Sequence, residues 1–118
     1  MRSEDRIRVR HMIDAAESAL QFVAGRPRAS LDSDRMLLFA VVRAVEIIGE
    51  AASKVSTETQ TSLVNIPWGA IIGMRNRLVH AYFEIDTSVV WVAVTDEIPA
   101  LLLQLRAISD SGNTKGLA

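Results

Sequence analysis

The chain has 118 residues, 49% of them hydrophobic and 23% charged, which excludes a disordered polypeptide and is enough for one packed domain. Thirteen basic and fourteen acidic residues give a formal net charge of −1, so bulk charge does not mark a general polyanion binder. Cysteine is absent, which removes disulfides, thiolate zinc sites and thiol nucleophiles.

The pattern predicts an all-α protein, an up-and-down bundle of four main helices. The first helix is predicted from Ser3 to Val23. Ser3 can cap it, and Glu4 and Asp5 fall in the first turn, where the helix dipole favours anions. Ile13, Ala16, Leu20 and Val23 recur at helical spacing and are expected to face a core. Arg2, Arg6 and Arg10 stand four apart in a basic stripe, which fits either a solvated face or a contact with an RNA backbone. Gly25 and Pro27 then break the chain.

The second helix is predicted to start between Ser30 and Asp34 and to end near Lys54. It is apolar nearly all round from Met36 to Ala52, a pattern of burial on more than one side. Arg43, Glu46 and Glu50 interrupt it along one stripe. Charges in such surroundings need partners or water, so they read either as an internal ion pair, Arg43 with Glu46, or as a polar groove at an active site. Residues 56–65 are polar and form a loop or a weak short helix. Pro67 suits a first helical position, and a third helix is predicted from Pro67 to His80, with Gly69 and Gly73 weakening it but permitting close packing.

Asp86 or Thr87 can cap the fourth helix, whose apolar stripe includes Val90, Val94, Ile98, Leu101 and Leu105. Pro99 inside it should kink or split it. Residues 109–118 read as a flexible polar tail, leaving a single domain over 1–108. Trp68 and Trp91 are expected in the core or at an interface. Excess apolar surface on the second and fourth helices predicts a homodimer with two-fold symmetry. The charged N-terminus does not read as a signal peptide, and the apolar stretch Met36–Ile48 is short and interrupted. A soluble cytoplasmic protein is expected, with no membrane partner.

No phosphate-binding glycine loop is present, and neither His11 nor His80 has a glutamate three residues before it, as a di-iron bundle would require. Two distant histidines do not make a zinc site, so no metal or other cofactor is expected. The densest polar cluster in an apolar context runs through Met74, Arg75, Asn76, Arg77, Leu78, Val79, His80, Ala81 and Tyr82. Asn76 and His80 are four apart and share a helix face. The stretch offers an imidazole, fixed guanidinium charge, an amide and a phenol within two turns. These are the parts for metal-free scission of an RNA phosphodiester. The 2′-hydroxyl needs a base, the leaving 5′-oxygen an acid, and the phosphorane a cation. One chain supplies one such histidine where the reaction wants two proton-transfer groups, and a symmetric dimer would bring two His80 side chains to one cleft. The plainer readings of the same residues are a helix-end histidine and a solvated Arg-Asn-Arg face.

Arg75, four intervening residues, His80, one residue and Tyr82 resemble the motif of HepT-like toxins in the HEPN superfamily. The stretch from Val42 through Arg43, Glu46, Gly49 and Glu50 to Ala52 is similar to that family's second-helix signature. Ile66-Pro67-Trp68, Met74 to Tyr82, Trp91 and Ile98-Pro99 follow in the expected order, so the resemblance spans about Ile7 to Ile108. It implies an all-helical homodimer whose two motifs meet at the interface. It also implies a metal-independent endoribonuclease, the toxin half of a type VII-like toxin–antitoxin pair. Carried onto this chain, Arg75 and His80 would be catalytic and Asn76 would support them. The family's usual antitoxin is a minimal nucleotidyltransferase, and its target for AMP transfer would be Tyr82. Added phosphate charge and bulk beside the cleft would repel RNA. Glu46 is expected to orient Arg75 or another cation of the motif. Transfer RNA is the substrate class that the resemblance brings forward, and no DNA partner is expected. The alternative is a non-catalytic interaction or nucleotide-binding module of the same superfamily, bound to a nucleotidyltransferase.

Overall fold

Hydrophobic residues at helical spacing organise the entire architecture, and the computed structural model describes it for residues 1–78 and 84–117, with side chains through residue 109. His80 and Tyr82 lie outside the described residues. Helix α1 spans Ser3–Val23, the predicted bounds. Its core face is Val9, Met12, Ala16, Ala19 and Val23, while Ile13 and Leu20 of the expected face are only partly buried. Ser3 does not cap it: the N-cap position is Arg2, with no side-chain hydrogen bond. The chain leaves α1 through Gly25 at φ 71°, a left-handed conformation in which a side chain would be strained.

Helix α2 is a single turn, Ser30–Ser33, and α3 follows at Arg35–Ser53. They are separated by Asp34, whose carboxylate accepts from the Leu37 N–H at 3.1 Å and caps α3. Helices α1 and α3 are antiparallel, because the start of α1 meets the chain just past the end of α3. Asp5 makes that joint. Its side chain is buried, and it accepts from the Ser56 N–H at 2.9 Å, the Ser56 hydroxyl at 2.7 Å and the Thr59 hydroxyl at 2.6 Å. Read as a dipole-facing first-turn acid, Asp5 turns out to be a buried cross-brace. Helix α4, Thr57–Ser62, is the short helix of the polar stretch, with Ser56 accepting from the Thr59 N–H as its cap.

The predicted third helix is two pieces, α5 at Trp68–Ile72 and α6 at Met74–Leu78, parted at Gly73. The close approach expected at Gly69 and Gly73 is absent at Gly69, is confined at Gly73 to the local turn, where a Cβ would stand 3.3 Å from the Gly69 carbonyl oxygen, and between helices falls at Gly49. A Cβ there would stand 3.3 Å and 3.4 Å from the carbonyl oxygens of Ile71 and Ile72, whereas one on Gly69 would meet nothing within 4 Å. Gly49 therefore lets α5 lie directly against α3.

The last helical run begins at α7, Thr87–Val92, where Asp86 accepts from the N–H groups of Ser88 and Val89 as its cap. A π-helical turn over Ala93–Glu97 follows, then α8 at Ile98–Leu117. The helical run continues through Pro99, and the widened turn directly before it accommodates the missing N–H and the ring. The Thr95 hydroxyl donates to the Trp91 carbonyl at 2.7 Å within that turn. The helix bounds extend across most of the predicted tail, whose side chains are outside the description. Thr87–Ser109 is long and apolar enough by composition to cross a membrane. Its Val90, Val94, Ile98, Leu102 and Leu105 are buried in the bundle, while Val92 and Leu103 are exposed. Among the described residues the architecture is all-α, as predicted, with no strand.

Candidate active-site cleft

Three elements converge on a cleft of about 540 Å³ whose walls include Arg35, Phe39, Arg43, Glu46, Arg75 and Ile85. One of the wall residues, Arg75, comes to it by packing alone. Met74 and Leu78 are buried four apart on α6 and anchor that short helix against the core. Arg75, one residue on from Met74, is thereby turned outward. Gly49 brings α5 and α6 onto α3, so Arg75 arrives beside Glu46, less than one turn earlier on α3. The Arg75 Nε stands 3.7 Å from the Glu46 Oε1.

The other Glu46 oxygen lies 3.6 Å from Arg43 Nη1, and the same nitrogen lies 3.4 Å from Glu50 Oε1. The expected Arg43–Glu46 pair exists, but it is half-exposed rather than internal and lies along a groove open to water. Arg75, Arg43 and Glu46 side chains are 47%, 59% and 26% exposed, so water screens these pairs and each contributes about 0–1 kcal/mol to stability. Their consequence is electrostatic. Three guanidiniums and one carboxylate border the cleft, leaving a positive field suited to a phosphodiester.

The Arg75-Asn76-Arg77 run does not act as one patch. At about 100° per residue Arg77 faces away from Arg75, and it pairs with Glu97 of the π-helical turn at 3.0 Å. Asn76 is exposed. The Asp86 N–H donates to the Leu78 carbonyl at 2.8 Å, so the described ends on either side of residues 79–83 are held together. The motif's own His80 and Tyr82 fall between them, outside the described residues. Of the basic stripe on α1, Arg2 pairs with Glu58 at 3.0 Å. Among the described residues no three His, Asp or Glu side chains gather where a metal ion could sit.

Sequence reasoning passed over Arg35 and Phe39. The signal was available: residues 35, 39, 43, 46 and 50 form one helical stripe, and a phenylalanine among those charges is out of place in a solvated face.

The profile of the family described as Ribonuclease HepT-like matches residues 12–108. The protein named Putative RNase TTE0752 of Caldanaerobacter subterraneus is 34% identical over 98 residues, covering 83% of this chain and 88% of the relative. Putative RNase MJ1380 of Methanocaldococcus jannaschii is 29% identical over 97 residues, covering 82% of this chain and 89% of the relative. The Probable ribonuclease HepT of Thermococcus cleftensis is 43% identical over 68 residues, covering 58% of this chain and 62% of the relative. No solved structure matches the chain.

Proposed function

The chain belongs to the HepT-like ribonuclease family of the HEPN superfamily, and from that premise we propose that it is a metal-independent endoribonuclease and the toxin of a toxin–antitoxin pair. The observation that carries the reading is the placement of Arg75: half-exposed, lining a positively charged cleft, and 3.7 Å from the Glu46 carboxylate. Residues 1–108 are the catalytic domain, and 109–118 form its tail.

The chemistry divides among few groups. His80 of one subunit takes the proton of the 2′-hydroxyl, whose oxygen attacks the adjacent phosphorus. The bond from phosphorus to the 5′-oxygen breaks, and that oxygen takes a proton from the second subunit's imidazole. The products are a 2′,3′-cyclic phosphate and a 5′-hydroxyl. Arg75 stabilises the charge that gathers on the phosphorane oxygens, and Glu46 holds its guanidinium plane. Asn76 supports the site. The homodimer follows from this division, because a single subunit brings one His80 to a reaction with two proton transfers.

A nucleotidyltransferase partner silences the enzyme by transferring AMP from ATP to the Tyr82 hydroxyl, with pyrophosphate leaving. The added phosphate sits two residues from His80 and opposes an incoming phosphodiester. Transfer RNA is the proposed substrate class.

The deciding experiment is RNA cleavage in chelator by the parent protein and by His80→Ala. The parent should cut and leave cyclic phosphate ends, and His80→Ala should not cut while remaining dimeric. Equal cleavage by both would overturn the assignment, as would a 3′-hydroxyl product. Co-expression with the transferase should add AMP-sized mass increments that Tyr82→Phe lacks.

A further inference from the structure

The geometry points to a base-stacking subsite on α3, in which Phe39 and Arg35 receive an unpaired nucleotide of the RNA beside Arg75. The inference rests on the ribonuclease reading above and adds the part of the cleft that the motif does not contain. Phe39 is 51% exposed, although α3 has a full core face in Leu37, Val41, Val45, Ile48 and Ala52. It projects instead from the stripe that borders the cleft. Arg35 lies one turn before it, with its guanidinium carbon 5.1 Å from the ring centroid. No carboxylate pairs with Arg35 among the described residues, whereas Arg43 and Arg75 share Glu46.

A half-exposed aromatic ring and the guanidinium held over it form a planar surface for a nucleobase. Stacking on such a ring is tolerant of sequence because every base has a π-face, and arginine adds a second planar surface with fixed charge. Leu38, Val42 and Ile85 supply apolar wall around it. A volume of about 540 Å³ is within the range of clefts that hold one nucleotide-sized group. A base inside a duplex already has both faces covered, so the subsite selects loops, bulges and single strands. The flanking phosphates of the splayed base would meet Arg35 and Arg43, which sets the next linkage toward Arg75.

The test is steady-state cleavage of a short single-stranded RNA by the full chain, comparing the parent with Phe39→Leu and Phe39→Tyr. Light scattering and melting temperature are recorded for each. Leucine keeps apolar bulk and removes the π-face. Phe39→Leu should raise KM roughly tenfold to a hundredfold with kcat little changed, and Phe39→Tyr should restore it. Substrates carrying one abasic residue at successive positions locate the contact. At one position beside the cut, the abasic substrate should raise the parent's KM by the same factor and leave that of Phe39→Leu unaltered.

An unchanged KM for Phe39→Leu overturns the subsite. So do abasic penalties identical in parent and variant at every position. A KM rise accompanied by loss of the dimer overturns it too, and assigns the ring to an interface between copies. A parent that cleaves no RNA sinks the ribonuclease reading and this subsite together. A parent that cleaves without needing Phe39 sinks the subsite alone.

Discussion

Replacing Asp5 with alanine should destabilise the fold by about 3 kcal/mol, although the residue is far from the cleft in sequence and looks like an ordinary first-turn acid. The carboxylate is 3% exposed and accepts three hydrogen bonds, from the Thr59 hydroxyl at 2.6 Å, the Ser56 hydroxyl at 2.7 Å and the Ser56 N–H at 2.9 Å. Hydrogen bonds to a charged acceptor contribute about 1.5–3 kcal/mol each, but these three act as a unit and do not add. After truncation the two hydroxyls can turn to other partners, while the Ser56 N–H is left without one. With an unfolding entropy of about 2.1 cal/mol/K per residue, that loss lowers Tm by about 12 °C.

The pH dependence gives the sharper test. The Thr59 hydrogen bond, opposed by burial and helped by both Ser56 donors, holds the Asp5 carboxyl below its ordinary pKa. A depressed folded pKa means that the unfolded chain binds the proton more readily. The stabilisation is thus complete above the ordinary carboxylate value and disappears as pH falls through the lowered one. Asp5→Asn keeps the shape and removes the charge, so the stability gap between parent and Asp5→Asn should narrow from about pH 7 to about pH 3. Asp34, also held low by the Leu37 N–H and by Arg26, is present in both proteins and cancels. Urea denaturation followed by circular dichroism across that range measures the gap. A gap independent of pH, or an Asp5→Ala protein within about 0.5 kcal/mol of the parent, would refute the reasoning.

Two glycine substitutions should go in opposite directions. Gly69→Ala meets open space and should add about 0.5–1 kcal/mol through helix propensity. Gly49→Ala gains the same propensity but presses on two backbone oxygens, and should cost about 1–2 kcal/mol net by urea denaturation. Glu46→Gln should leave Tm nearly unchanged yet split the kinetics: kcat for RNA cleavage falls as Arg75 loses its brace, and KM falls as the cleft gains positive charge. Unchanged values of both would remove Glu46 from the site. Binding of single-stranded RNA should weaken with salt at a slope of about −2 in log–log form if Arg35, Arg43 and Arg75 each meet a phosphate, and Arg35→Gln should flatten it by about 0.7. A slope unaffected by Arg35→Gln would take that residue off the RNA path.

The main helices α1 and α3 were legible because both carry apolar periodicity, and Asp86 was legible as a cap of α7, whereas the break of the third helix at Gly73 was not. The ordered motif around Arg75 was legible too, since residue type and spacing are local properties. What a one-dimensional pattern does not contain is which face meets which. The burial of Asp5 depends on a corner more than fifty residues away in sequence. The contact that seats α5 on α3 falls at Gly49 rather than at Gly69 of α5 itself, because close approach is decided by the partner's backbone. Pro99 predicts a break that a π-helical turn makes unnecessary. The cleft itself joins a stripe of α3 to one side chain of α6, and only the packing of Met74 and Leu78 turns Arg75 toward Glu46 and Arg77 toward Glu97. Periodicity determines which residues are helical and apolar, whereas long-range packing determines which of the charged ones face each other across water.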